Sequence, residues 1–165
     1  MRLLPVLLAL AVLSVSGCDS GDLSADCDSI GARSGTISAN VGGDALRVSC
    51  YTVFVVEGRT FLTGISIGES VTDLRTPITI TIDGTTEGSY DLDGVGAGDD
   101  GDESFVQLAL GGDATSPAES GVIRVETFTP TQLRGTFEFV TLTGVDVSDG
   151  RFDVGLSGVD LSGAR

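Results

Sequence analysis

The chain has 165 residues, with 24 acidic residues against nine basic ones, no histidine and no tryptophan, for a formal charge of −15. A field of that sign repels phosphate backbones, which excludes nucleic acid as a partner; the lack of histidine removes the commonest general base and metal ligand. The length suits one domain with its own core and is too short for two of ordinary size.

Met1 and Arg2 give a short positive start, Leu3 to Leu13 an apolar run, and Ser14 to Gly17 the small residues of a processing site. This is the layout of an export signal over residues 1–17. A spanning helix needs about 20 apolar residues, and this run ends well short of that. Val15-Ser16-Gly17-Cys18 resembles the bacterial lipobox. The resemblance implies that the Cys18 thiol receives a diacylglycerol and becomes the first residue of the mature chain. The expected location is the cell envelope, with the protein anchored to a membrane and facing the periplasm or the exterior.

Residues 18–34 are small and polar without a sustained period, as expected of a tether between lipid and domain. With Cys18 assigned to lipid, Cys27 and Cys50 are the remaining cysteines, and in an oxidising compartment they are expected to pair. Their spacing is not that of a redox motif, and no histidine exists to complete a metal site.

From Gly35 to the end, short runs of Val, Ile, Thr and Phe alternate with Gly, Asp and Pro, and no helical stripe is long enough to form a helix. Strands are predicted at 36–41, 45–56, 60–67, around 78–82, near Tyr90, at 104–110, 121–128, 133–143 and around 152–156. Ile78, Ile80 and Ile82 alternate with threonines, which gives one wet face. Val53-Phe54-Val55-Val56 is apolar throughout and reads as a strand covered on both sides. In the hairpin around Thr129–Gln132, Ile123 and Val125 should meet Phe137 and Phe139 inside, while Arg124 and Glu138 pair in water. Connections this short require antiparallel neighbours. The expected fold is all-β, a single antiparallel β-sandwich of about nine strands, with a closed β-barrel as the alternative.

The succession GTISANVGGDAL, PITITIDG then GSYDL, SGVIRVETFTPTQLRGTFEFVTL and VSDGRFDVGL resembles a family of small β-rich bacterial lipoproteins of unknown function. Those motifs are glycines and alternating apolar residues. The likeness implies one β-rich domain and brings no catalytic residues with it.

The richest cluster of ligand-type residues is DLDGVGAGDDGDE, with Asp91, Asp93, Asp99, Asp100 and Asp102 in a glycine-rich stretch, a candidate calcium loop. Val95 breaks the helical-loop calcium pattern, and a solvated acidic hairpin loop accounts for the same residues. Ser157 within Gly155-Leu156-Ser157-Gly158 fits no nucleophile elbow. No cofactor is expected beyond such a weak calcium ion. Phenylalanines assigned to core faces leave few rings for stacking sugars. The expectation is a non-catalytic binding or structural module of the envelope that takes an envelope protein partner or an apolar ligand inside a barrel, the alternative being a carboxylate-dependent hydrolase.

Overall fold

The computed structural model describes residues 27–67, 74–93, 104–109 and 115–163. Nine strands are present among them: β1 (Arg33–Val41), β2 (Asp44–Val56), β3 (Arg59–Ile67), β4 (Leu74–Ile82), β5 (Gly88–Asp93), β6 (Phe105–Ala109), β7 (Thr115–Thr129), β8 (Gln132–Thr141) and β9 (Asp146–Gly155). All the pairings are antiparallel.

The all-β reading holds, and of the two architectures the molecule adopts the barrel. The decisive pairing is between the first strand and the last: β9 lies along β1 from Gly35↔Val154 to Val41↔Val147. With β7 also joined to β8, the ring runs β1-β2-β3-β4-β6-β7-β8-β9 and closes on itself. Eight strands meander up and down, and β5 is additional. Asp93 of β5 stands opposite Ser120 and Gln107 of β6 opposite Pro117, so β5 and β6 follow one another along the same edge of β7. Residues 94–103 therefore join two successive strands of one lane, whereas a hairpin loop would join two paired strands.

Eight strands enclose an interior just wide enough to fill with side chains or to hold one small ligand. Here it is filled. Ile37, Val48, Leu62, Ile78, Ile80, Ile82, Val106, Ile123 and Leu133 are all buried in one cluster with Phe137, Phe139 and Phe152. Two of the large rings fit because each lies on a glycine of the neighbouring strand: Phe137 faces Gly150 and Phe152 faces Gly135. A methyl group at either would collide with the ring, and one at Gly121, opposite Phe139, would collide with the Phe139 Cβ and the backbone of β8. Tyr51 uses the same device across Gly35 of β1 and reaches β9, where its hydroxyl donates to the Gly155 carbonyl and accepts from the Gly155 N–H, both at 2.7 Å. One side chain thus ties β2 to β9 over the strand between them.

Three expectations change. Val53-Phe54-Val55-Val56 is not covered on both sides: Val53 and Val55 point inward, while Phe54 and Val56 are each 49% exposed on the outer wall. A closed barrel has solvent outside every strand that no other segment covers, so a continuous apolar run here means an apolar outer patch. Residues 27–34, which the sequence places in the tether, are packed on the domain, while residues 18–26 lie outside the described residues. Cys27–Ser29 form a helical turn, and Cys27, Ala32 and Cys50 make a second small buried cluster with Ile30 and Ile65 on the outside of β2 and β3. Finally, β4 and β7 begin earlier than their alternating cores suggest. In β4, Pro77 falls in a register shift, the position a sheet tolerates for a residue lacking an N–H.

The hairpin of β7 and β8 follows expectation. Ile123 pairs with Phe137, and the Arg124 guanidinium donates to the Glu138 carboxylate at 3.1 Å on the wet face.

Candidate recognition face

With the interior filled, a concave feature rich in polar side chains lies on the outer wall. A shallow groove of about 490 Å³ is lined by Thr36 and Ser38 of β1, Arg151 and Asp153 of β9, Arg134 and Thr136 of β8, and Glu126 of β7, over a floor of Gly135 and Phe152. It follows from alternation: Ile37, Phe152 and Phe137 turn inward, so the hydroxyl and charged residues between them turn out.

Register adds a second order. Arg47 stands opposite Ser38, Ser38 opposite Arg151, Arg151 opposite Thr136, Thr136 opposite Arg124, and Arg124 opposite Ser89. One row thus crosses six strands with arginine and hydroxyl residues in alternation. At a strand separation of about 4.8 Å, successive arginines sit roughly 10 Å apart. The flanking charges are partly consumed: Arg124 pairs with Glu138 at 3.1 Å, Arg134 with Glu126 at 3.3 Å, and the Gln132 amide donates to Asp153 at 2.9 Å. Arg47 and Arg151 take part in no ion pair among the described residues, and both are exposed. Arg151, between the Ser38 and Thr136 hydroxyls, offers a planar fork of donors suited to a carboxylate or phosphate group.

The predicted site residues fare unequally. Cys27 and Cys50 form a disulfide with a Cα–Cα distance of 5.4 Å, the pairing expected of them. Cys18 lies outside the described residues, as do Asp99, Asp100 and Asp102. Asp91 is exposed on β5 opposite Val122, and Asp93 ends the same strand. No group of three or more potential metal ligands occurs among the described residues. Ser157 belongs to the turn after β9, where its carbonyl accepts from Arg33. The groove was not anticipated. Its signal, arginines and hydroxyl residues alternating with core positions, is visible strand by strand and becomes a row only when the register is known.

The sequence matches no family model, no curated protein and no solved structure. The site's reading therefore rests on its own geometry. Among the described residues Tyr51 is a buried titrating group: burial pushes its phenol up, against the Gly155 hydrogen bond and Arg33, which pull it down, with Asp153 adding to the rise. It ties strands together and faces no groove.

Proposed function

We propose that this chain is a non-catalytic recognition module of the cell envelope, anchored through lipid on Cys18, which captures an acidic envelope protein on the outer wall of β7, β8, β9 and β1. The observation that carries this reading is Arg151: an exposed guanidinium between two hydroxyls, in no ion pair among the described residues, held on a rigid strand of a closed barrel. Binding groups placed on a rigid wall lose little freedom on association. The overall charge of −15 works against an anion at long range, but exposed charges are screened beyond about 8 Å at physiological ionic strength. The close contacts of the groove then decide specificity.

A hydrolase would need two carboxylates free to flank a bond. The two acids lining the groove are each engaged, Glu126 by Arg134 and Asp153 by Gln132. This favours recognition over hydrolysis at this face.

A photo-crosslinking residue in place of Thr136, in cells carrying the full chain, is expected to give a discrete adduct that disappears on Arg151→Glu. An adduct pattern indifferent to Arg151→Glu would overturn the reading. The anchor is tested separately: Cys18→Ala is expected to move the protein out of the membrane pellet, and a variant that stays wholly in the pellet removes it.

A further inference from the structure

The outer wall of β2, β3, β4 and β6 differs in kind from the groove. Phe54 stands opposite Phe61, Phe61 opposite Thr81, and Thr81 opposite Phe105, so three phenylalanines mark one row across four strands. The Phe54 and Phe61 rings stack at 4.8 Å between centroids and 10° between planes. Val56, the next outward residue of β2, is exposed beside them. Thr81 points outward between Ile80 and Ile82 yet is fully covered, its hydroxyl without a hydrogen-bond partner. Arg59 lies at the margin, its guanidinium 5.8 Å from the Phe61 centroid and 3.7 Å from Asp83. Single apolar residues on a surface are ordinary, but a contiguous row with a stacked pair marks an interaction face.

Where the described chain begins says what covers that face. Cys27 is bonded to Cys50, and Cys50 points out of β2 on the same side as Phe54, four residues further along. Four residues of strand span about 14 Å. Cys27, where the described residues begin, therefore lies on the phenylalanine side of the barrel. Eight residues lie between Cys18 and Cys27, a leash of nine Cα steps or about 30 Å at full extension.

We propose that the Phe54, Phe61 and Phe105 face rests on the bilayer surface, a zwitterionic one, and orients the barrel there. The proposal rests on the lipid-anchor reading of Cys18. A short leash makes docking intramolecular, so the rings act at a high effective concentration and need only weak affinity for the interface. Apolar burial and acyl anchoring add, as two-signal membrane attachment requires. Arg59 at the margin can keep its charge among headgroups while its stem lies along the rings. A zwitterionic surface suits the net charge of −15, because it adds no repulsion for the rings to overcome.

The test supplies the anchor chemically, so that docking is judged whether or not cells lipidate Cys18. The chain from Cys18 onward is coupled through that cysteine, the sole thiol outside the Cys27–Cys50 disulfide, to a maleimide phospholipid in phosphatidylcholine vesicles. The protein has no tryptophan, so Phe54→Trp gives a single probe, and Ser148→Trp, exposed on β9, gives a probe on the opposite wall. Coupling should shift the Phe54→Trp emission to the blue, and brominated phosphatidylcholine should quench it about twofold or more, with the Ser148→Trp probe unaffected. Unquenched, water-like emission from Phe54→Trp overturns the proposal. So does a blue shift without bromine quenching accompanied by dimers, which would assign the face to a second copy of the chain. Failure of the anchor reading shows elsewhere, as Cys18→Ala protein still held in the membrane pellet.

Discussion

Tyr51→Phe tests whether the barrel is latched across β1 by a single hydroxyl. The variant keeps the ring over Gly35 and removes only the oxygen that donates to and accepts from Gly155, 104 residues away in sequence. Leaving a part-buried N–H and carbonyl without partners costs about 1–3 kcal/mol, and with both groups of one residue affected about 2 kcal/mol is expected. For a domain of this size that corresponds to a fall in Tm of roughly 6–8 °C. Calorimetry across pH supplies an internal control. Burial raises the Tyr51 phenol above its ordinary value of 10.0. Above that pH the unfolded chain releases its phenolic proton while the folded protein still holds it. The folded state then binds more protons, and stability falls as pH rises. The contribution is complete below pH 10 and is lost as pH climbs from there through the folded-state value, so the gap between wild type and Tyr51→Phe should be constant at neutral pH and narrow above about pH 10. A Tm within about 1 °C of wild type, or a gap that keeps its size in alkali, would refute the latch.

Gly150→Ala should destabilise by about 1–3 kcal/mol because the new methyl meets the Phe137 ring and the backbone beneath it, an overpacking cost that chemical denaturation would measure. Replacing both Cys27 and Cys50 with alanine opens a bond of sequence separation 23, and the chain-entropy relation gives a loss of about 3.4 kcal/mol. Unchanged urea midpoints in oxidised and reduced protein would contradict that. A calcium ion held by Asp91, Asp93, Asp99, Asp100 and Asp102 would raise Tm as the ion is titrated to millimolar levels, following the logarithm of ligand over Kd. An identical melt with calcium and with chelator removes the site.

The fold class was legible because alternation is a local signal: Ile78, Ile80 and Ile82 between threonines, or Ile123 and Val125 around Arg124, declare a strand and its inner face without knowledge of any partner. Closure was not legible, since it depends on β1 and β9 meeting, and those strands stand at opposite ends of the domain. The sign that could have raised the barrel above the sandwich lies in the glycines. Gly135 and Gly150 interrupt good strand patterns, and each proves to be the seat of an aromatic ring on the adjacent strand, a glycine–aromatic pairing that helps a sheet curve. Val53 to Val56 misled for a related reason. A run apolar at every position implies cover on both faces only when the architecture supplies a second layer, and a barrel wall is a single layer. The disulfide could be inferred because it needs only compartment and count, whereas the arginine row could not, because Arg47, Arg124 and Arg151 become neighbours only through four separate registers.

The two outer faces are related by the ring itself. Counting round β1-β2-β3-β4-β6-β7-β8-β9, the phenylalanine row is centred on β3 and β4, and the groove on β8 and β9, half a turn away. A filled interior leaves the outer wall as the place for recognition, and a closed barrel fixes the angle between two sites on that wall. If the phenylalanine face lies on the bilayer, Arg151 is carried on the side furthest from the lipid, where an envelope protein can approach without meeting the membrane. The two proposals then make a joint prediction that neither makes alone. Replacing Phe54 and Phe61 with serine, which leaves Arg151, Ser38 and Thr136 untouched, should lower the yield of the Thr136 crosslink in anchored protein by freeing the barrel to turn. The same double variant should leave the crosslink unchanged when Cys18→Ala releases both forms into solution. A yield insensitive to the phenylalanines in the anchored state would mean that the groove finds its partner without being aimed.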